Sequence, residues 1–203
     1  AAQDLNTDAS DLIQNDQLLA DLLTQVETCR QCDLYRTRYM PVFGVGPVPA
    51  NLMIVGEAPS AEDDRQGIPF VGRVGQLLDA MLLSIGFRRE DVYVANALKC
   101  RPPDDRDPFA EELTHCNPFL LQQIERIQPK VILALGKAAV QSLLDTNESL
   151  DQLRNTGPAR EVAGVSVIAT YHPAYLLQSP GAKSESWKDL YRARQLLING
   201  SSS

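Results

Sequence analysis

The chain has 203 residues, 44% of them hydrophobic and 22% charged. That balance suits one α/β domain with its own core and argues against a collagen-like fibre, a coiled coil, a small disulfide scaffold or a membrane channel, because no apolar run approaches the ~20 residues of a spanning helix. The formal net charge of −7 speaks at first against a nucleic-acid partner, but six acids lie in residues 1–28, which carry no Lys or Arg, and the rest is close to neutral. A near-neutral body can still present a basic face.

Residues 1–10 read as a disordered leader. They carry no basic region followed by an apolar stretch, so no secretory signal is expected. Residues 11–28 place apolar side chains at 12, 13, 18, 19, 22, 23 and 26, one helical stripe that ends at Cys29-Arg-Gln-Cys32. A Gly- and Pro-rich loop runs from Pro41 to Pro49. Four short apolar runs then follow, at 52–55, 92–95, 131–135 and 165–169, with helical patterns near 73–85, 108–127, 137–144 and 185–198. Strands alternating with helices predict an α/β fold with a parallel sheet covered on both faces. The expected domain spans 11–198, with 199–203 as a tail.

In such sheets functional groups collect at the carboxyl ends of the strands. Polar residues follow each run here: Gly56-Glu57-Ala58-Pro59, Asn96, Gly136-Lys137 and His172-Pro173. This convergence points to one cleft. Glu57 also reads as an ordinary acidic turn, Phe70 in the loop 67–76 as a core residue, and His172 as a satisfied structural group. No dinucleotide fingerprint or phosphate loop is present.

The four cysteines form one Cys-x2-Cys (Cys29, Cys32) and a distant pair, Cys100 and Cys116. In a chain without a secretory signal this set reads as metal binding rather than disulfides. Thiolate ligation alone does not separate zinc from an iron–sulfur cluster. The last pair brackets the loop 101–108, which has little apolar surface of its own, so a metal centre there would order it. His115, beside Cys116, reads as structural or as an alternative ligand.

Taken in order, with the cysteines interleaved, GEAPSAEDD (56–64), GIPFVGRVGQLL (67–78), NALKCRPP (96–103) and TYHPAYLL (170–177) resemble the family 4, iron–sulfur, uracil-DNA glycosylases along residues 12–197. The resemblance implies a three-layer α/β/α fold around a four-stranded parallel sheet. It implies a [4Fe-4S] cluster on Cys29, Cys32, Cys100 and Cys116, with zinc as the alternative occupant, and removal of uracil from single- or double-stranded DNA by a monomer in the cytoplasm, associated with the nucleoid.

It assigns Gly56, Glu57, Ala58, Phe70, Asn96 and His172 to the uracil site, with Glu57 and His172 catalytic. Tyr175, Leu176 and Leu177 would wedge into the base stack. Lys99, Arg101, Arg106, Lys183 and Arg73 would meet phosphates. Ser60 stands where the family carries glycine, at the segment expected to crowd C5 of thymine. Residues 101–108 hold no histidine, which predicts ordinary turnover rather than covalent trapping on DNA. The competing readings are a non-enzymatic iron–sulfur DNA-binding protein and a zinc-stabilised nucleotide hydrolase.

Overall fold

A computed structural model describes residues 16–155 and 159–199. The expected leader, residues 11–15 of the expected first helix and residues 200–203 of the tail lie outside the described residues.

The sheet has strands β1 (Leu52–Gly56), β2 (Tyr93–Asn96), β3 (Val131–Leu135), β4 (Arg160–Val162) and β5 (Val165–Thr170), in the order β2-β1-β3-β5-β4. The first three and β5 are parallel, and β4 runs antiparallel to β5. The expected four strands are therefore present, and β4 corrects their number to five. Arg160–Val162 is too short and too polar to read as a strand. It is one because the turn at Ala163 and Gly164 folds it back onto β5.

Alternation along the strands sends side chains to both faces. Met53 and Val55 join Leu120, Ile124 and Val140 in one core cluster. Leu52 and Ile54 join Leu78, Leu82 and Leu190 in the other. The first face is covered by α4 (Ala110–Ile127), α5 (Lys137–Leu144) and α6 (Leu150–Asn155), and the second by α3 (Gly72–Ser84), α7 (Pro173–Gln178) and α8 (Lys183–Asn199). The result is the three layers expected.

Helix α1 (Gln17–Thr28) packs Leu19, Leu22 and Val26 against Phe43 and Phe119. Asp16 caps it by accepting from the Leu19 N–H and pairs with Arg126. Among the described residues, no helix is long and apolar enough to cross a membrane.

Candidate functional site

Each parallel strand delivers one piece of the site to the same edge. Gly56 ends β1 and lies in register with Asn96, which ends β2. Gly136 follows β3, and its N–H donates to the Thr170 carbonyl at the end of β5 at 2.9 Å. His172 lies two residues beyond Thr170.

Asn96 is 1% exposed, and among the described residues neither atom of its buried amide has a hydrogen-bond partner. A buried donor or acceptor left unpaired costs about 1–3 kcal/mol. Gly56 makes the position possible, because a Cβ there would collide with both Asn96 Oδ1 and the tip of the Phe70 ring. Phe70 is itself buried and stacks on His172, with ring centroids 5.4 Å apart and planes at 28°.

Phe70 holds a left-handed backbone, φ 56, which non-glycine residues adopt at a cost of about 1–3 kcal/mol. Its neighbours impose that shape. Arg89 donates through Nη2 to the carbonyls of Pro69 and Phe70 and through Nη1 to Asp79. Asp63 accepts from the N–H of Val71 at 2.9 Å and of Ser60 at 3.1 Å. Ser60 returns the contact by accepting from the Asp63 N–H, a capping box that starts helix α2 (Ala61–Gln66). With φ −77, position 60 needs no glycine.

The Nδ1 of His172 accepts from the Ala174 N–H at 3.2 Å. That bond places the proton of the neutral ring on Nε2. Burial lowers the imidazole to about 4, so the ring is neutral at pH 7. Glu57 accepts through Oε1 from the Ala138 N–H in the first turn of α5, at 2.8 Å. Burial raises its carboxyl above the usual carboxylate value, while the N–H groups of Ala138 and Lys137 oppose the rise.

A family pattern described as the uracil DNA glycosylase superfamily matches residues 43–193. The chain belongs to the uracil DNA glycosylase superfamily. It is 44% identical over 185 residues to the type-4 uracil-DNA glycosylase of Archaeoglobus fulgidus, covering 88% of this chain and 92% of that one. With the type-4 enzyme of Thermotoga maritima it shares 42% over 165 residues, covering 81% and 85%. With a type-5 uracil-DNA glycosylase of Pyrobaculum aerophilum it shares 33% over 156 residues, covering 70% and 69%.

The four cysteines line one small cavity together with Arg38, Lys99, His115 and Phe119. Cys29 follows α1, Cys32 precedes a short 3-10 turn, Cys100 follows β2 and Cys116 lies on α4. Arg38 donates to Cys100 Sγ at 3.0 Å, and the Lys99 N–H donates to Cys116 Sγ at 3.2 Å. Among the described residues, no three of His, Cys, Asp and Glu are grouped as a single metal ion requires.

Two expected DNA contacts are corrected. Lys99 is 1% exposed, and its ammonium turns inward to the Asn96 carbonyl at 2.8 Å and Gln123 Oε1 at 2.7 Å. Leu176 is also 1% exposed, because the short helix α7 turns it into the core beside Leu78 and Leu82. Tyr175 remains 47% exposed and Leu177 half-buried. Arg73 and Lys183 are exposed. Arg101 pairs with Asp105, and Arg106 pairs with Glu112 while lying over the Phe109 ring. The roles of Arg89 and Asp63 escape sequence reading, because Arg89 lies in a surface-like charged stretch and acts 19 residues away from it.

Proposed function

We propose that this chain hydrolyses the N-glycosidic bond of uracil in DNA and leaves an abasic site. The observation that carries this is the buried, unpartnered amide of Asn96 beside Phe70 and Gly56. A flipped uracil satisfies both its atoms: Oδ1 accepts from N3–H, and Nδ2 donates to O4. Cytosine presents the reverse pattern and would leave the amide unpaired. Phe70 stacks on the base without regard to its identity.

As the bond between C1′ and N1 breaks, its electron pair moves into the pyrimidine, and negative charge collects on O2. His172 donates its Nε2–H to that oxygen as a preorganised neutral donor. Glu57 faces the cationic sugar and orients the water that attacks C1′. The Ala138 N–H on Oε1 fixes the carboxylate for that task. The backbone of Gly56 and Ala58 lines the uracil pocket, and Tyr175 and Leu177 stand at the gap in the base stack. Arg101, Arg106, Arg73 and Lys183 supply phosphate contacts.

Cys29, Cys32, Cys100 and Cys116 fit a [4Fe-4S] cluster. Four thiols line one cavity, and the likeness to the type-4 enzymes supports a cluster there, with zinc as the alternative. The N–H groups of Arg38 and Lys99 supply the hydrogen bonds that thiolate ligands accept. The cluster would contribute order, tying the loop 101–108 to α1. Residues 11–198 act as one domain and as a monomer on single- or double-stranded DNA, inside the cell and on the nucleoid.

The test uses a uracil-containing oligonucleotide and alkaline strand scission. The parent is expected to generate breaks, and Asn96→Asp and His172→Ala to lose most of that activity. Parental rates in both variants would refute the site assignment. Binding with no abasic site would identify a non-enzymatic DNA-binding protein.

A further inference from the structure

We propose that the outward face of α8 is a stacking ledge for the single-stranded DNA that flanks the flipped nucleotide. Trp187 and Tyr191 receive bases, and Lys183 and Arg194 meet the phosphates on either side. This rests on the glycosylase reading of the site.

Trp187 and Tyr191 are 53% and 44% exposed, and their rings stack with centroids 5.6 Å apart and planes at 16°. Scattered exposed aromatics are ordinary. A stacked, near-parallel pair held at i, i+4 spacing is a preformed platform. Lys183 precedes Trp187 by four residues and Arg194 follows Tyr191 by three, so both cations share the helix face, and both are exposed. From Lys183 to Arg194 the stripe runs about 17 Å along the helix.

The two acids of α8 do not cancel this charge. Asp189 is buried against Arg154 at 2.6 Å, and Glu185 pairs with Lys188 and Arg154. In a chain of net charge −7, the stripe is a local positive surface. Aromatic faces alternating with cations are the chemistry of sequence-tolerant single-strand binding.

The ledge also starts in the right place. Thr170 Oγ1 and Ser186 Oγ hydrogen-bond at 3.0 Å, which ties the first turn of α8 to the end of β5, two residues before His172. The turn Pro180–Ala182 packs on both α7 and α8. A strand leaving the nucleotide pocket past Tyr175 therefore meets the beginning of this face.

Trp187 is the only tryptophan, so its emission reports on the ledge directly. Titration of the full chain with uracil-free oligothymidylate is expected to quench it. By anisotropy of a labelled oligothymidylate, Trp187→Ala and Tyr191→Ala should each weaken binding roughly tenfold, while Trp187→Phe stays near the parent. On a uracil-containing single strand, Trp187→Ala should raise KM and leave kcat unchanged. Emission indifferent to the oligonucleotide, or unaltered affinity in Trp187→Ala, overturns the ledge. So does a dimer in solution that Trp187→Ala splits while DNA affinity is kept. Quenching by the oligonucleotide without any abasic site in uracil-containing DNA supports the ledge and refutes the glycosylase reading instead.

Discussion

The Asn96 side chain holds a costly position, because its amide has no hydrogen-bond partner among the described residues. Such an unpaired buried amide is an exception in natural structures that calls for an explanation, and a base that completes the pairing supplies one. Asn96→Ala is therefore expected to lower uracil excision by about 100-fold or more while leaving Tm unchanged or raised, as calorimetry can show. A clear fall in Tm would mean that the amide supports the fold. His172 and Glu57 divide the pH response. His172 protonates only near about 4, whereas burial raises Glu57 above its ordinary value of 4.5. On the proposed mechanism the acid limb of kcat/KM is expected to follow Glu57, and Glu57→Gln to remove that limb along with most of the rate. The same His172 shift affects stability. Its folded pKa lies below the unfolded value of 6.5, so the stability associated with the neutral ring is present above pH 6.5 and is lost as pH falls toward 4. His172→Phe should flatten that part of the Tm profile.

At the scale of the element, the loop 67–72 shows how a strained segment is held. Phe70 keeps its left-handed backbone because Arg89 grips its carbonyl and Asp63 grips the Val71 N–H. Gly75 of α3 leaves room for that carbonyl, since a Cβ there would overlap it. Arg89→Met is expected to raise KM several-fold with little change in the proton inventory of catalysis, so the pH profile keeps its shape. Gly75→Ala should cost about 1–3 kcal/mol of stability as well, read by denaturant unfolding. An Arg89→Met enzyme with parental KM would show that Phe70 holds itself. The glycines around Phe70 are visible in the sequence as a shaped loop. The grip of Arg89 is not, because it joins two segments that only the packing of α3 on the sheet brings together.

At the scale of the molecule, the two centres share one connection. The Lys99 ammonium reaches back to the Asn96 carbonyl, while its neighbour Cys100 and its own N–H face the cysteine cavity. Order at the cysteines thus reaches the end of β2, where Asn96 lies, through four residues. Cys100→Ser is expected to lower iron and inorganic sulfide together, to lower Tm, and to open the loop 101–108 to limited proteolysis. Retention of the parental iron content and protease resistance would remove Cys100 from the ligand set.

By itself the sequence determined the four parallel strands, the helices between them and the sheet edge on which Glu57, Asn96 and His172 lie. Those features follow from local apolar periodicity and from the rule that places functional groups after strand ends. It also carried the four cysteines, whose residue type restricts their chemistry. Only the tertiary structure decided that Lys99 and Leu176 face inward, that Arg160–Val162 is a strand, and that Arg89 supports Phe70. Each of these depends on which distant surface lies opposite the residue, and local spacing holds no record of that.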